Sequence, residues 1–139
     1  MNLSSNVKIT KVADHSTAAT SPVDSSSVDM LGYEGVIFIT SFGTANAANT
    51  INAAQSSNDS DFTDLEGTSV SSGTSDEDVW IDVYRPSDRY VRCEAARGEE
   101  STLESIWAIQ YGARKAPVDN TTTGTITGEV HASPDEGTA

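Results

Sequence analysis

The segment from Val79 to Pro117 constrains the fold of this chain more than any other part. It holds both tryptophans, three of the four tyrosines and six of the eight basic residues of a 139-residue chain. Its side chains alternate along three runs, 79–85, 89–96 and 105–113, and such alternation is typical of strands with one buried face. Turn-forming residues separate the runs. The pattern predicts three consecutive strands paired as an antiparallel meander.

Weaker strand signals precede this segment. A continuous apolar run between glycines at 34–43 predicts a strand buried on both faces. Short candidate strands lie at 7–12 and 50–55, and the polar stretch 44–49 before the second suits a hairpin turn or wide loop. Serine, threonine and aspartate dominate 56–78, which predicts a loop with a candidate short strand or turn around 65–70. The expected fold class is all-β: a compact antiparallel β-sandwich or barrel with a C-terminal three-strand meander and extended polar N- and C-terminal arms.

Both ends of the chain are poorer in apolar residues than its centre. We expect a flexible or extended N-terminal arm at residues 1–28, a β domain at 29–118, and an extended or disordered tail at 119–139, with one short candidate strand at 125–131. An arm of this composition either becomes ordered against a neighbouring molecule or stays a plain flexible terminus. The sequence leaves both alternatives open.

The formal net charge of −13 restricts the partners of the chain. No lysine or arginine occurs between Lys11 and Arg85, whereas twelve acidic residues do. Such a surface repels phosphate backbones, so direct nucleic-acid binding is not expected. It favours either plain solubility, as in saline surroundings, or a basic partner. No apolar run suggests a signal peptide or a membrane span, which predicts a protein made in the cytoplasm.

No set of residues in the sequence is typical of catalysis. The lone Cys93 rules out an internal disulfide and is expected to be a buried, inert thiol, since His15 and His131 both lie in polar flanking segments. The acidic run 59–66 departs from a calcium-binding EF-hand loop, which requires a glycine where Asp64 stands. We therefore predict that the chain is not an enzyme and has no catalytic, cofactor-binding or metal-binding residues.

The aromatic and arginine side chains of the 79–117 segment suit contacts between molecules. Trp80, Tyr84, Trp107 and Tyr111 could stack on sugars, but such residues more often pack in a core or a subunit interface. Arginines in an acidic chain, Arg97 among them, can pair with acids of a neighbouring copy. The candidate assembly and docking contacts are Arg85, Arg89, Arg92, Trp107, Tyr111 and Arg114.

The order of several short motifs supports a family resemblance. These motifs are DMLGYEGV at 29–36, DLEGT at 64–68, VYRP at 83–86, RYVR at 89–92 and AIQYGARKAP at 108–117. In this order the chain resembles, over roughly residues 25–118, small capsid cement or decoration proteins from the structural modules of tailed bacteriophages. The resemblance supplies no functional residue that can be transferred position by position.

The resemblance implies a structural virion protein that binds the outside of the phage capsid shell and stabilises capsomer junctions. Its partner would be the phage major capsid protein, and its copies would form a homo-oligomer, with a trimer favoured. The N-terminal arm would lie along the capsid protein. Localisation would be the outer surface of the virion, after synthesis in the bacterial host cytoplasm. The alternative that the aromatic residues leave open is a phage-encoded carbohydrate- or host-surface-binding β module.

Overall fold

The computed structural model describes residues 2–74, 77–120 and 125–138. Within these ranges the helical structure is a single 3-10 turn at Leu3–Ser5, and twelve β-strands form the rest of the regular structure. The strands are β1 Lys8–Ala13, β2 Ser16–Ala19, β3 Val23–Asp24, β4 Val28–Asp29, β5 Gly35–Ser41, β6 Asn49–Ser56, β7 Thr63–Asp64, β8 Val70–Ser71, β9 Asp78–Tyr84, β10 Tyr90–Arg97, β11 Ser101–Leu103 and β12 Ile106–Tyr111.

Two antiparallel sheets pack against each other. The front sheet has the strand order β1-β12-β5-β9, and the back sheet has the order β3-β10-β6-β7, with β4 also on β10 and β8 also on β6. A small third sheet pairs β11 with β2. The predicted all-β antiparallel sandwich is confirmed, and the sheets do not close into a barrel.

The core lies between the inner faces of the two sheets. Phe38 of β5 is fully buried there, together with Ile51 of β6 and Val91 of β10. Burying large apolar side chains from both sheets in one layer is the main stabilising contribution in a sandwich. Cys93 is also fully buried in this layer, as predicted, and burial raises the pKa of its thiol to about 12.

The three strands predicted as a meander all form, but they do not pair with one another. Strands β9 and β12 belong to the front sheet and are separated by β5, whereas β10 lies in the back sheet. Of the two alternatives for 44–49, the hairpin turn is wrong and the wide loop is confirmed, because this connection crosses from β5 in the front sheet to β6 in the back sheet. Alternation marks the face that meets the core, and because both sheets meet the same core it does not tell which sheet a strand joins.

The segment expected to be an N-terminal arm is built into the sandwich. Strand β1 pairs with β12, while β3 and β4 pair with β10 and β2 pairs with β11. Three apolar side chains of the segment, those of Val7, Val12 and Val28, are buried. A polar segment can therefore be ordered within its own chain when its edge strands pair and a few side chains reach the core.

Residues 118–120, which follow β12 in the chain, form hydrogen bonds with β1 and with the residues just before it. The Asn120 side chain accepts a hydrogen bond from the Ile9 amide at 2.8 Å and donates to the Ser4 and Val7 carbonyls at 2.7 and 2.9 Å. Residues 125–138 form no regular strand, so the short strand predicted at 125–131 is wrong. Positions 121–124 and 139 of the predicted tail lie outside the described residues.

Candidate docking surface

The outer side of the front sheet carries a cluster of large apolar side chains, with Lys11 and Asp82 among them. The register places Trp107, Ile39 and Trp80 in one row across β12, β5 and β9. Side chains directly opposite each other on paired strands share a face and contact one another. The resulting surface, called the aromatic face below, consists of Ile9, Ile37, Ile39, Trp80, Tyr84, Trp107, Ile109 and Tyr111.

Three aromatic residues of this face are open to solvent. Trp80 is 61% exposed, Tyr84 58% and Trp107 36%. Single exposed apolar side chains are ordinary on protein surfaces, but a contiguous set on one sheet marks an interaction surface. The aromatic face is therefore the strongest candidate for a binding site in the part of the chain that the structure describes.

A glycine lets one tyrosine of the aromatic face lie across the sheet. The ring of Tyr111 covers Gly35 so closely that a Cβ at that position would clash with it. The Tyr111 hydroxyl thereby reaches across β5 and donates a 2.6 Å hydrogen bond to Asp82 of β9. Burial, followed by the hydrogen bond and the charge of Asp82, raises the pKa of Tyr111 to about 12.

Replacing Asp82 with asparagine is expected to lower the pKa of Tyr111 from about 12, because the neutral amide removes the negative charge and accepts a weaker hydrogen bond than the carboxylate. An ultraviolet pH titration of the tyrosines, with Gly35→Ala as a second variant that displaces the ring, measures this change. A folded-state pKa above 10 means that the unfolded chain ionises first. The contribution of Tyr111 to stability is thus complete below about pH 10 and is lost as the pH rises towards 12. An unchanged titration in both variants would show that the ring position does not control the pKa.

Three of the predicted arginine contacts meet at one end of the sandwich. Arg85, Arg89 and Arg114 line a cavity of about 460 Å³. Arg89 makes a bidentate pair with Asp29 at 2.9 and 2.7 Å, and this pair lowers the pKa of the Asp29 carboxyl.

Arg85 connects this cavity to the aromatic face. Its guanidinium lies 5.1 Å from the centre of the Tyr84 ring and 3.6 Å from the Glu34 carboxylate. Because Tyr84 belongs to the aromatic face, the arginine-lined end continues that surface with charged side chains, among them Glu34 and Asp88. The apolar layer thus has a polar rim on this side, as protein interfaces commonly do.

Two other arginines lie away from this surface. Arg92 is on the back sheet, where it pairs with Glu94 at 2.5 Å and lies 4.3 Å from the centre of the Phe62 ring. Arg97 is buried and donates hydrogen bonds to the carbonyls of Thr17, Ser21 and Ser101 in its own chain. The expectation that Arg97 faces a neighbouring copy is therefore wrong, because its guanidinium anchors the small sheet to β10.

The isoleucines of the aromatic face were not predicted as site residues. The run containing Ile37 and Ile39 indicated a strand buried on both faces, yet both side chains are half-buried on the outer side. A continuous apolar run has the same pattern whether its second face meets protein or solvent. The signal that separates these cases is the cross-strand position beside Trp80 and Trp107, which only the fold provides.

The histidines do not approach the buried thiol. His15 lies 3.4 Å from Glu104, and His131 lies 3.2 Å from Glu129. Among the described residues no group of three or more histidine, cysteine or acidic side chains is placed to hold a metal ion. In the same residues no helix has the length and apolar character needed to cross a membrane.

Comparison with known proteins identifies a shared fold. No family model matches the chain, and no curated protein matches it. The crystal structure of PBSX exported protein XepA is similar at a TM-score of 0.55 and 20% identity, over 94% of this chain and 45% of that one. The crystal structure of SPBc2 prophage-derived protein YomS is similar at a TM-score of 0.46 and 13% identity, over 75% of this chain and 93% of that one.

The likeness to XepA, at a TM-score of 0.55 over 94% of this chain, shows that the two proteins share a fold. The chain spans less than half the length of XepA. The binding partner of this sandwich is therefore inferred from the surface of the chain itself, above all from the aromatic face.

Proposed function

We propose that the chain is a phage structural protein that docks on the outside of the capsid shell through the aromatic face and stabilises capsomer junctions. The observation that carries this proposal is the exposure of Trp80, Tyr84 and Trp107 together on one side of the front sheet. Tryptophan and tyrosine contribute most of the binding energy in protein interfaces because they bury large areas with few rotatable bonds.

Two separate arguments support the phage setting. The structures similar to this chain agree with a phage setting, and among them that of PBSX exported protein XepA shares its fold with this chain at a TM-score of 0.55. The proposed capsid role rests on the order of motifs along residues 29–117, which resembles the order found in cement proteins. XepA is described as exported, and its greater length leaves room for activities that this chain does not share.

Docking through the aromatic face also accounts for the arginines at its end. Arg85 and Arg114 sit at the edge of the face, where they can pair with acidic groups of the capsid protein after the apolar centre has excluded water. The remainder of the chain is strongly acidic, which keeps unbound copies soluble. The N-terminal segment is part of the sandwich, and within it Ile9 of β1 belongs to the aromatic face.

Occupancy on purified capsid shells tests the proposal. The variant Trp80→Ser/Tyr84→Ser is expected to bind at least about tenfold more weakly than the original chain, since each truncated hot-spot residue costs more than about 1 kcal/mol. Leu3→Ser is the matched control, because Leu3 is 60% exposed but lies outside the aromatic face. Equal occupancy of the double variant and the control would refute docking through this face.

The same exposed aromatic residues favour one alternative, a carbohydrate- or host-surface-binding module. Sugar rings stack on flat aromatic side chains, and Trp107 lies in one row with Trp80 across the sheet. A glycan array probed with the original chain and with Trp107→Ala distinguishes the two functions. Glycan binding that is lost on substitution, with no binding to shells, would favour the alternative.

A further inference from the structure

The two edge strands of the front sheet, β1 and β9, differ in what covers their outer sides. The β1 edge is covered by residues 118–120, where the Val118 amide donates to the Ser5 carbonyl at 2.8 Å and Asn120 binds the Ile9 amide. At the other edge, by contrast, β5 is the only strand of the described residues that pairs with Asp78–Tyr84, so the outer side of β9 has no partner strand. An open edge of seven residues is a template for another strand.

The hydrogen bond that ends the β5–β9 ladder shows which groups this open edge presents. The Arg85 amide donates to the Glu34 carbonyl at 2.7 Å, one position beyond the pair of Tyr84 with Gly35. Backbone groups alternate along an antiparallel strand, so those of Val83, Ile81 and Val79 also point towards β5. The amides and carbonyls of Asp78, Trp80, Asp82 and Tyr84 therefore point outwards.

A groove borders these groups on the side of residues 67–71. This groove of about 550 Å³ runs along β9, with Thr68 and Val70 on its opposite wall. Val79 and Ile81 reach the same groove from the inner side of β9. An added strand could continue the ladder through the outward backbone groups of β9.

We propose that β9 pairs with β9 of a second copy, antiparallel about a two-fold axis at Ile81. Among the registers that keep inner side chains opposite inner ones, those that pair most of β9 have the axis at residue 80, 81 or 82. An axis at Trp80 sets Asp78 opposite Asp82 of the second copy, and an axis at Asp82 sets that carboxylate opposite itself. Like charges directly opposite each other destabilise a strand pair.

The register about Ile81 avoids every such repulsion. It sets Trp80 opposite Asp82, Asp78 opposite Tyr84, and Val79 opposite Val83 on the inner side. Beyond the strand ends it brings Arg85 of one copy beside Glu77 of the other, so opposite charges flank the pair at both ends. The charges along β9 are therefore self-complementary in this register.

The pairing would join the aromatic faces of two copies into one surface. A seven-residue strand pair is smaller than a standard interface, so we expect a weak dimer with a dissociation constant in the micromolar to millimolar range. The proposal does not depend on docking to capsids, because it concerns the purified chain alone. It can fail while the proposed function holds, and the reverse is also true.

Cysteine crosslinking tests the register. The variants Trp80→Cys and Asp82→Cys are oxidised separately and as a mixture, while the native Cys93 stays unreactive in the core. We expect a disulfide-linked dimer in the mixture alone, because residue 80 of one copy lies opposite residue 82 of the other, whereas neither residue lies opposite itself. A dimer from either variant by itself would show a different register, and no crosslink at millimolar protein concentration would refute the pairing.

Sedimentation of two matched variants tests whether the backbone makes the contact. Trp80→Pro removes an amide that points to the open edge, which an edge strand tolerates, and Trp80→Ala removes the same side chain but keeps the amide. We expect Trp80→Pro to be monomeric at concentrations where Trp80→Ala and the original chain form dimers. Equal association of the two variants, or the trimeric mass that the family resemblance implies, would overturn the proposal.

Discussion

Replacing Arg97 with alanine is expected to destabilise the fold by about 3–5 kcal/mol. The guanidinium is 5% exposed and donates to the carbonyls of Ser21, Thr17 and Ser101 at 2.7, 2.8 and 3.0 Å, and to the Ser21 hydroxyl at 3.1 Å. Alanine would leave these acceptors unsatisfied and detach the small sheet from β10. A loss of this size is a large part of the stability of a typical domain.

Urea unfolding followed by far-ultraviolet circular dichroism and by Cys93 thiol reactivity measures this effect. The matched control is Arg97→Lys, which keeps the charge but lacks the planar fork, and it should recover only part of the loss. Arg89→Ala is a second control, because the pair of Arg89 with Asp29 is half-exposed and is worth little. Similar unfolding midpoints for Arg97→Ala and Arg89→Ala would contradict the anchoring role of Arg97.

Deleting residues 1–13 is expected to abolish cooperative unfolding. The deletion removes β1, which covers the edge of β12 along five registered positions, and it removes the buried side chains of Val7 and Val12. Uncovered backbone groups of β12 would then compete for water and for other chains. Thermal unfolding monitored by circular dichroism checks this outcome, with deletion of residues 125–139 as the control.

The control deletion should leave the midpoint nearly unchanged, since the described residues of that tail form no strand. A folded chain after removal of residues 1–13 would support the original expectation of a separable arm. Loss of folding would mean that a truncated chain cannot test whether the N-terminal segment contacts the capsid protein, because the truncated chain would already be unfolded.

Much of the fold could be predicted from local pattern. The alternation of Val79, Ile81 and Val83 with Trp80, Asp82 and Tyr84 identified the buried and outer sides of β9 correctly. The pairing of strands could not be predicted in the same way, since β9 and β10 share one core while lying in different sheets. The N-terminal strands were missed because average composition hides the placement of a few apolar side chains.

The sequence predicted only part of the candidate site, because some of its contacts join residues that are far apart in the chain. Trp107 and Tyr111 were singled out because aromatic residues are conspicuous in an acidic chain, and both lie on the aromatic face. Their neighbours Ile37 and Ile39 come from a strand about seventy residues earlier. That contact depends on long-range register, which local alternation does not contain.

Hydroxyl-radical footprinting of the protein on purified capsid shells tests the central claim most directly. If the aromatic face docks on the shell, labelling of Trp80, Tyr84 and Trp107 should fall on binding, while labelling of Phe62 and Tyr90 on the back-sheet side should be unchanged. Protection of the back-sheet residues, with the three aromatic-face residues labelled as in the free protein, would contradict the account.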